Sequence, residues 1–588
     1  MKKYLIPVLV LAVALLSSAP LQSQNGEDAK FQKTFDEYMD AFWKFYPTAA
    51  TLAGYHKYDN KLEDFSKKNI EKRHETLDEF NQDFVAKVDR MALSPEIQID
   101  HQLIVDGLDR QVMDHEMLVP WEYNPLFYNP FFADCIRGLI ENPQGSADDV
   151  AKNIEKRLGD LPKLIKQAKE NLQTPPQVYT EAAIKQFGLI LEYYRNELPQ
   201  WISSSAGSQQ SKIQANFAKA MPELEGYMTF LQNELLPRST GSFRLAEAHA
   251  RLVRLTFHNN IPLAELIERA KVDINNIRRE MFLCCLGLYK IMDPRFDIES
   301  PPSSLSEEQL KTEVISHVLD HIKSEHVSKD EFFDKVKNTA GEVKDFLMEK
   351  QLVDLPEKEL AFAEMPLEKR ALRWYQLNAP LPQSANGDYT WELAPFNENL
   401  TDEQIQGLLE EYNNFLLPFW VVRNVYPGHF VPLVTTRQNA SVIKKMFPNM
   451  PLIKGWPIFL EETLVMNGIQ NYDIRVRLNQ LKLLLRTVTD FIAEIQIHEG
   501  TWTKENAVDY MTRTGFQTTA EAERKWDQIT LNPGYTVYGY VGYQEIIDIH
   551  NLYKQNKGDA YSFKAFMSEL LSHGPISLRY LKPMMVGQ

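Results

Sequence analysis

The sequence predicts an all-α fold of many helices with one short extended or hairpin insertion near residues 366–395. Apolar residues recur three and four positions apart through most of the chain, which is the spacing of one helix face. Residues 366–395 lack this spacing and are rich in Pro, Asn and Gly. With 588 residues, of which 44% are hydrophobic, the chain can bury a large core.

The predicted helices follow one another with short breaks. Pro47 ends the first helix, and Ser146 is a candidate N-cap for the helix that begins at Ala147. Asn386 and Gly387 are typical of a hairpin turn inside the insertion. The predicted helices are Phe31–Tyr46, Lys67–Met91, Ile97–Met117, Ala147–Leu172, Glu181–Leu198, Ser211–Leu236, Leu245–His258, Leu263–Met292, Glu307–His326, Lys329–Lys350 and Glu403–Phe419.

Charge and cysteine content exclude two classes of protein. The formal net charge is -16 and there is no basic stripe, so we expect no nucleic-acid partner. The chain has three cysteines, Cys135, Cys284 and Cys285. Two of them are adjacent and the count is odd, so no disulfide framework is expected. Cys284 and Cys285 lie in an apolar helical stretch, residues 281–289, and we expect them to be thiols of the core.

The N-terminus predicts a signal peptide over residues 1–24. Lys2 and Lys3 precede a continuous apolar run from Tyr4 to Leu16, and small and polar residues follow. This run is shorter than the roughly 20 residues that a membrane-spanning helix needs. No cysteine lies near the cleavage region, so we expect neither a lipid anchor nor a transmembrane anchor after cleavage. The expected location is the periplasm or the exterior of the cell.

Two stretches late in the chain carry the functional argument. Residues 421–433 read Val-Val-Arg-Asn-Val-Tyr-Pro-Gly-His-Phe-Val-Pro-Leu, and residues 454–462 read Lys-Gly-Trp-Pro-Ile-Phe-Leu-Glu-Glu. They resemble the metal-site motifs of a bacterial family of zinc-metallopeptidase-like proteins, catalogued as domain of unknown function 885. In that family the motifs read His-Glu-x-x-Pro-Gly-His-His-x-Gln and Glu-Gly-Trp-Ala-x-Tyr-x-Glu.

The resemblance keeps the backbone-shaping residues of these motifs and replaces most of the polar ones. The family's first His falls on Arg423, its catalytic base on Asn424 and its leading Glu on Lys454. His429 is retained. The remaining matches are Phe430 in place of His and Pro432 in place of Gln, together with the retained Gly455, Trp456 and Glu461.

The resemblance extends over nearly the whole mature chain. Residues 31–66, 498–502, 533–542 and 566–581 are similar to further family segments in the same order. The resemblance therefore implies one continuous family domain over residues 27–586. It further implies an N-terminal helical half (27–350) and a C-terminal half (351–586) that carries the degenerate motifs, with a deep central cleft between them.

The replaced charges point to a pseudo-peptidase. A zinc site needs three ligands with lone pairs, whereas Arg and Lys are cations. We therefore expect no zinc, no other cofactor and no catalytic residue, although Asn424 stands at the family's base position. Arg423 and Lys454 are expected to give the cleft a positive floor that binds a peptide or another small envelope ligand. The candidate ligand-binding residues are Arg423, His429, Lys454, Trp456, Glu461, His498, Tyr538 and Tyr540.

Two alternatives remain open at the level of the sequence. One is an active peptidase or hydrolase of the metallo-carboxypeptidase or dipeptidase type, with a rearranged metal site. The other is a structural or assembly partner whose cleft is sealed. The chain has no Gly-x-Ser-x-Gly motif and no P-loop. His317 and His321 share a helix face, but that helix is charged and is expected to face solvent.

Overall fold

The computed structural model describes residues 26–257, 261–292, 305–366, 370, 374–380, 387–394, 396, 400–439 and 441–587. The predicted signal peptide and the proposed turn residue Asn386 lie outside these residues. The prediction of an all-α fold of many helices is confirmed.

The N-terminal part of the described chain is built from twelve α-helices. Several continue into a π-helical turn, as α3 does over Asp83–Lys87 and α4 over Asp114–Leu118. The helices are α1 (Gly26–Phe45), α2 (Pro47–Leu52), α3 (Lys67–Gln82), α4 (Pro95–Met113), α5 (Pro120–Tyr123), α6 (Asn129–Glu141), α7 (Ala147–Asn171), α8 (Gln177–Glu192), α9 (Leu198–Ser205), α10 (Gln210–Phe230), α11 (Glu247–Phe257) and α12 (Leu263–Met292).

The C-terminal part holds thirteen further α-helices and three short strands among its described residues. The helices are α13 (Glu307–Ile322), α14 (Phe332–Lys350), α15 (Asp402–Glu411), α16 (Leu417–Asn424), α17 (Phe430–Asn439), α18 (Val442–Met446), α19 (Met450–Met466), α20 (Ile474–His498), α21 (Lys504–Arg513), α22 (Thr519–Leu531), α23 (Val537–Lys557), α24 (Phe563–Ser572) and α25 (Leu578–Val586). The strands are β1 (Leu360–Glu364), β2 (Tyr375–Asn378) and β3 (Tyr389–Leu393).

Local side chains explain where helices begin and where one prediction is wrong. Ser146 caps α7 as predicted, since its hydroxyl accepts the N–H of Asp149 in a capping box. The predicted single helix Glu403–Phe419 is two helices, α15 and α16. Between them the side-chain oxygen of Asn413 accepts the N–H groups of Phe415 at 3.0 Å and Leu416 at 3.2 Å. This local capping ends one helix and starts another.

The insertion forms a three-stranded sheet that begins slightly before the predicted residues. The strand order is β1-β3-β2, with β3 parallel to β1 and antiparallel to β2. The sheet packs on the end of α16. Trp391 of β3 donates to the carbonyl oxygen of Asn424 at 3.3 Å, and Tyr375 of β2 donates to the side-chain oxygen of Asn424 at 2.6 Å. The insertion therefore fixes the position of the first motif.

The buried apolar side chains form two large clusters. The larger cluster draws on residues 31–108 and 253–586, and the second on residues 65–235. The larger cluster takes side chains from both sides of residue 350, so the division into halves at that residue stays a prediction. All three cysteines are free thiols: Cys135 and Cys285 are buried, and Cys284 is half-buried.

A deep cleft of about 1600 Å³ lies between two groups of elements. One wall comes from residues 120–130 and 178–192, which belong to the α5–α6 region and to α8. The other wall comes from residues 370–575 and includes the sheet, α16–α20 and α22. The two motif stretches lie on this second wall. The central cleft that the resemblance implied is therefore present.

Two glycines bring α19 and α23 together beneath this wall. A Cβ added at Gly542 would lie 1.8 Å from the carbonyl oxygen of Pro451, and one added at Gly455 would lie 2.4 Å from the carbonyl carbon of Gly542. No larger residue fits at either position without moving a helix backbone. Lys454 directly precedes Gly455 on α19, and Tyr535 lies just before α23. The close approach of the two helices therefore brings Lys454 next to Tyr535.

Among the described helices, none combines the length and the apolar character needed to cross a bilayer.

Candidate functional site

The centre of the cleft wall is a hydrogen-bonded cluster of Lys454, His429 and Tyr535. The ammonium of Lys454 lies 2.8 Å from Nε2 of His429 and 3.0 Å from the hydroxyl of Tyr535. Because an ammonium has no lone pair, it donates both bonds and Nε2 of His429 accepts. Two of the three ammonium protons are used, and the third has no partner among the residues that the structure describes.

The electrostatics of this cluster leave Lys454 as its only fixed charge. Burial, and then the charge of Lys454, hold the pKa of His429 well below its usual range, so the imidazole is neutral. Burial alone would raise the pKa of Tyr535. The charge and hydrogen bond of Lys454, helped by Tyr375, outweigh it and lower the pKa to about 8. No carboxylate pairs with Lys454 among the residues that the structure describes.

A buried carboxylate holds the turn that presents Tyr535. Glu494 of α20 accepts the N–H of Gly534 and, at 2.9 Å, the N–H of Thr536, which are the two residues flanking Tyr535. It also accepts the hydroxyl of Thr536, and His249 of α11 lies 3.3 Å away. Burial raises the pKa of Glu494, but the hydrogen bond and charge of His249 and the hydrogen bond of Thr536 outweigh it and lower the pKa, so this carboxylate is ionised.

Arg423 lines the cleft, but its positive charge is already paired with the carboxylate of Glu461. Its guanidinium makes a two-pronged ion pair with the fully buried Glu461, through Nε and through Nη2 at 2.9 Å. Nη1 donates to the hydroxyl of Thr487 at 2.6 Å. The expectation that Arg423 and Lys454 together form a positive floor is therefore corrected: of the two, only Lys454 lacks an anionic partner.

Asn424 also faces the cleft, where it cannot act as a base. Its side-chain oxygen accepts the hydroxyl of Tyr375, and its amide donates to the carbonyl of Trp420 at 3.0 Å. An amide has no proton-accepting group that titrates near neutral pH. Asn424 therefore joins the sheet to α16 and presents an amide, not a carboxylate, to the cleft.

The cleft is basic although the chain is acidic. Among the described lining residues there are ten Lys or Arg against five Asp or Glu. Some of these cations have buried acidic partners: Arg486 pairs with Glu411 at 3.2 Å, and Arg524 pairs with Glu521 at 2.7 Å. Field lines from the rest concentrate in a concave, low-dielectric site and attract anions.

Aromatic side chains form one surface of the cleft beside these cations. Trp374 and Tyr375 are half-buried and pack against the buried Trp420, each with ring centroids 5.5 Å from it. Arg524 lies over the ring of Trp374 at 5.5 Å. Flat rings next to cations suit a ligand with both apolar and anionic parts.

The chain was compared with known proteins. A family profile described as "Bacterial protein of unknown function (DUF885)" matches residues 47–585. The chain belongs to this family. No curated protein sequence matches this DUF885 chain.

Two solved structures have the same fold as this DUF885 protein. A protein of unknown function from Shewanella oneidensis, provisionally described as a lipoprotein, is 25% identical with a TM-score of 0.79. The match covers 94% of this chain and 99% of that one. A protein from Colwellia psychrerythraea, also provisionally described as a lipoprotein, is 14% identical with a TM-score of 0.73. That match covers 95% of this chain and 98% of the other, and shows the fold alone.

The motif positions of this DUF885 protein do not fit a zinc ion. Zinc needs three ligands with lone pairs around one point. Of Arg423, His429 and Lys454, only His429 has a lone pair, and the ammonium of Lys454 already occupies it. The retained carboxylate of Glu461 is taken by Arg423. These three positions therefore offer no set of free lone pairs that could surround one zinc ion.

His498 belongs to a different cluster of this DUF885 protein, deeper in the core. His249, Glu494 and His498 bring their ligand atoms within 4.8 Å of one another, and they are the one such group among the described residues. The two imidazole rings, however, stack face to face at 4.6 Å and 13°. Lone pairs in parallel planes cannot converge on one ion, and Glu494 already accepts the donors of the 534–536 turn. In this arrangement the cluster supports the 534–536 turn.

Several other predicted ligand-binding residues lie behind the cleft wall. Trp456 is buried and donates to the carbonyl of Gly428 at 2.9 Å, which joins the two motifs. Tyr540 is buried and donates to Asp273 at 2.8 Å, and Tyr538 packs edge-on against Tyr535. With Glu461 and His498, these residues do not line the cleft. They pack behind the residues that line the cleft and hold them in position.

Sequence reasoning missed residues that the structure brings into the cleft. Tyr535 had a usable signal, because it stands where the family motif has Gln, directly after Pro533 and Gly534. Tyr375, Arg437 and Lys445 had none, since their neighbours in sequence carry no motif. Their placement depends on contacts between distant segments.

Proposed function

We propose that this protein is a non-catalytic relative of zinc peptidases that binds the free C-terminal carboxylate of a peptide in its cleft. Its expected location is the periplasm or the exterior of the cell. The supporting observation is the ammonium of Lys454, which has two neutral partners and one unused proton at the centre of a basic cleft. A carboxylate in the cleft would accept the third ammonium proton of Lys454 in a charge-assisted hydrogen bond.

The shape of the cleft supports ligand binding over the alternative of an assembly partner. That alternative expects a sealed or filled cleft, whereas the cavity measures about 1600 Å³. Half-buried aromatic rings beside the cations offer apolar contact for the side chains of a peptide. A zinc ion has no part in this proposal, because the charge of Lys454 would repel it and Arg423 already occupies the carboxylate of Glu461.

The proposal is tested by calorimetric titration with alanine-rich pentapeptides that have either a free or an amidated C-terminus. The free acid should bind about tenfold more tightly, as one charge-assisted hydrogen bond implies. Lys454→Met should abolish the difference. Lys337→Met is the matched control, because Lys337 is exposed on α14 and outside the cleft.

Equal affinities for acid and amide, or no binding of either peptide, would contradict the proposal. Metal analysis of the purified protein should find far less than one zinc per chain, and a chelator should leave the thermal midpoint unchanged. Stoichiometric zinc together with cleavage of the peptides would instead support the rearranged hydrolase.

A further inference from the structure

Two more cations lie on the same cleft wall as Lys454. Arg437 of α17 and Lys445 of α18 both line the cleft, on the two helices that precede α19. Nε and Nη1 of Arg437 are buried and have no hydrogen-bond partner. Within the described part of the chain, neither side chain pairs with a carboxylate.

This arrangement is electrostatically unfavourable in the free protein. Burial lowers the pKa of Arg437. Burial, and then the charge of Arg437, lower the pKa of Lys445, so the two like charges are close enough to repel. Arg423 and Arg486 differ in this respect, because each has a buried glutamate of its own. Burying a guanidinium without a partner costs free energy that the rest of the structure must offset.

We propose that Arg437 and Lys445 form a second anion-binding subsite in the cleft. It takes a carboxylate or phosphate group carried by the same peptide whose terminus reaches Lys454. A guanidinium can donate to two oxygens of a planar or tetrahedral anion, and an ammonium beside it adds a point charge. The apolar residues Leu433, Pro448 and Pro575 also line the cleft and offer apolar contact beside the two cations.

The second subsite rests on the proposed function. It restricts the ligands to peptides that carry an anionic group besides the C-terminal carboxylate. A peptide with a free C-terminus alone would leave Arg437 and Lys445 without a partner. A peptide with an acidic or phosphorylated internal residue would satisfy both groups of cations. The preferred ligand therefore carries at least two anionic groups.

The experiment uses one alanine-rich pentapeptide with Glu, Gln or phosphoserine at an internal position, titrated into the full mature chain by calorimetry. The Glu or the phosphoserine peptide should bind about tenfold more tightly than the Gln peptide. Arg437→Gln and Lys445→Gln should remove this preference and keep the preference for a free C-terminus. A preference for Glu identifies a carboxylate ligand, and one for phosphoserine identifies a phosphate.

The controls separate a binding role from a structural one. Arg279→Gln and Lys337→Gln change exposed residues outside the cleft and should keep both preferences. Without peptide, Arg437→Gln and Lys445→Gln should show a thermal midpoint equal to or above that of the wild type, because no internal bond is lost. A lower midpoint, or equal affinity for all three peptides while the free C-terminus is still preferred, would overturn the second subsite alone. Loss of the C-terminal preference in the wild type would overturn the proposed function.

Discussion

Nζ of Lys454 lies 2.8 Å from Nε2 of His429, so an ammonium occupies the lone pair of the one imidazole that the first motif retains. Lys454 therefore gives this part of the cleft wall a positive charge, and the imidazole beside it keeps no free lone pair on Nε2. The three predictions below follow from the residues that surround this contact.

The first prediction concerns the ionisation of Tyr535. Burial raises the pKa of this phenol, but Lys454 outweighs burial and lowers it to about 8. An ultraviolet absorbance titration should therefore show one phenolate step near pH 8 that Tyr535→Phe lacks. Because the phenolate above that pH neutralises Lys454, affinity for a free C-terminal carboxylate should fall as the pH rises through 8. Tyr535→Phe should remove this fall.

Tyr540→Phe is the control for that titration. Burial and Asp273 raise the pKa of Tyr540, so its removal should leave the step near pH 8 unchanged. A step that persists in Tyr535→Phe would assign it to another phenol and remove the explanation of the pH dependence.

The second prediction concerns the buried pair of Arg423 and Glu461. Arg423→Leu or Glu461→Leu leaves one charge buried without a partner and should cost about 3–5 kcal/mol of the free energy of unfolding. The double variant should cost much less than the sum of the two. Chemical denaturation measures all three. Arg195→Leu, which breaks the exposed pair with Glu225, should stay within about 0.5 kcal/mol of the wild type. Additive losses would show that the pair is not coupled.

The third prediction concerns the contact between α19 and α23. Gly542→Ala places a methyl group against the carbonyl of Pro451 and should cost more than about 2 kcal/mol, since one helix backbone must move. Gly341→Ala on α14 is the matched control. No atom lies within 4 Å of a Cβ there, so this substitution should stabilise the helix by about 0.5–1 kcal/mol. Similar effects at the two glycines would refute the close approach.

The sequence predicted the helices well where the signal is local. The spacing of apolar residues gave α12 its observed bounds, Leu263–Met292, and Ser146 marked the start of α7. It also identified the insertion, since Pro, Asn and Gly interrupt helical spacing. The broken helix around Asn413 was missed, because a side chain that caps its own backbone leaves the apolar spacing on both sides intact.

The candidate site was predictable only in part. His429, Asn424 and Lys454 line the cleft because the motif spacing places them on the same wall. The partner of Arg423 could not be predicted, since Glu461 is 38 residues away and pairs only after α16 and α19 pack. For the same reason the sequence could not show that Arg423 has an anionic partner whereas Lys454 has only neutral ones among the described residues.

The hydrogen bonds of Glu494 have a consequence for how the binding surface can vary. The carboxylate takes the backbone N–H groups on either side of Tyr535, and it is itself in contact with His249 of α11. The phenol is thus carried on a peptide segment tied to two separate helices. Exchanging side chains of α8 on the opposite wall would therefore change the shape and charge of the cleft, while the segment that bears the phenol stays in one place.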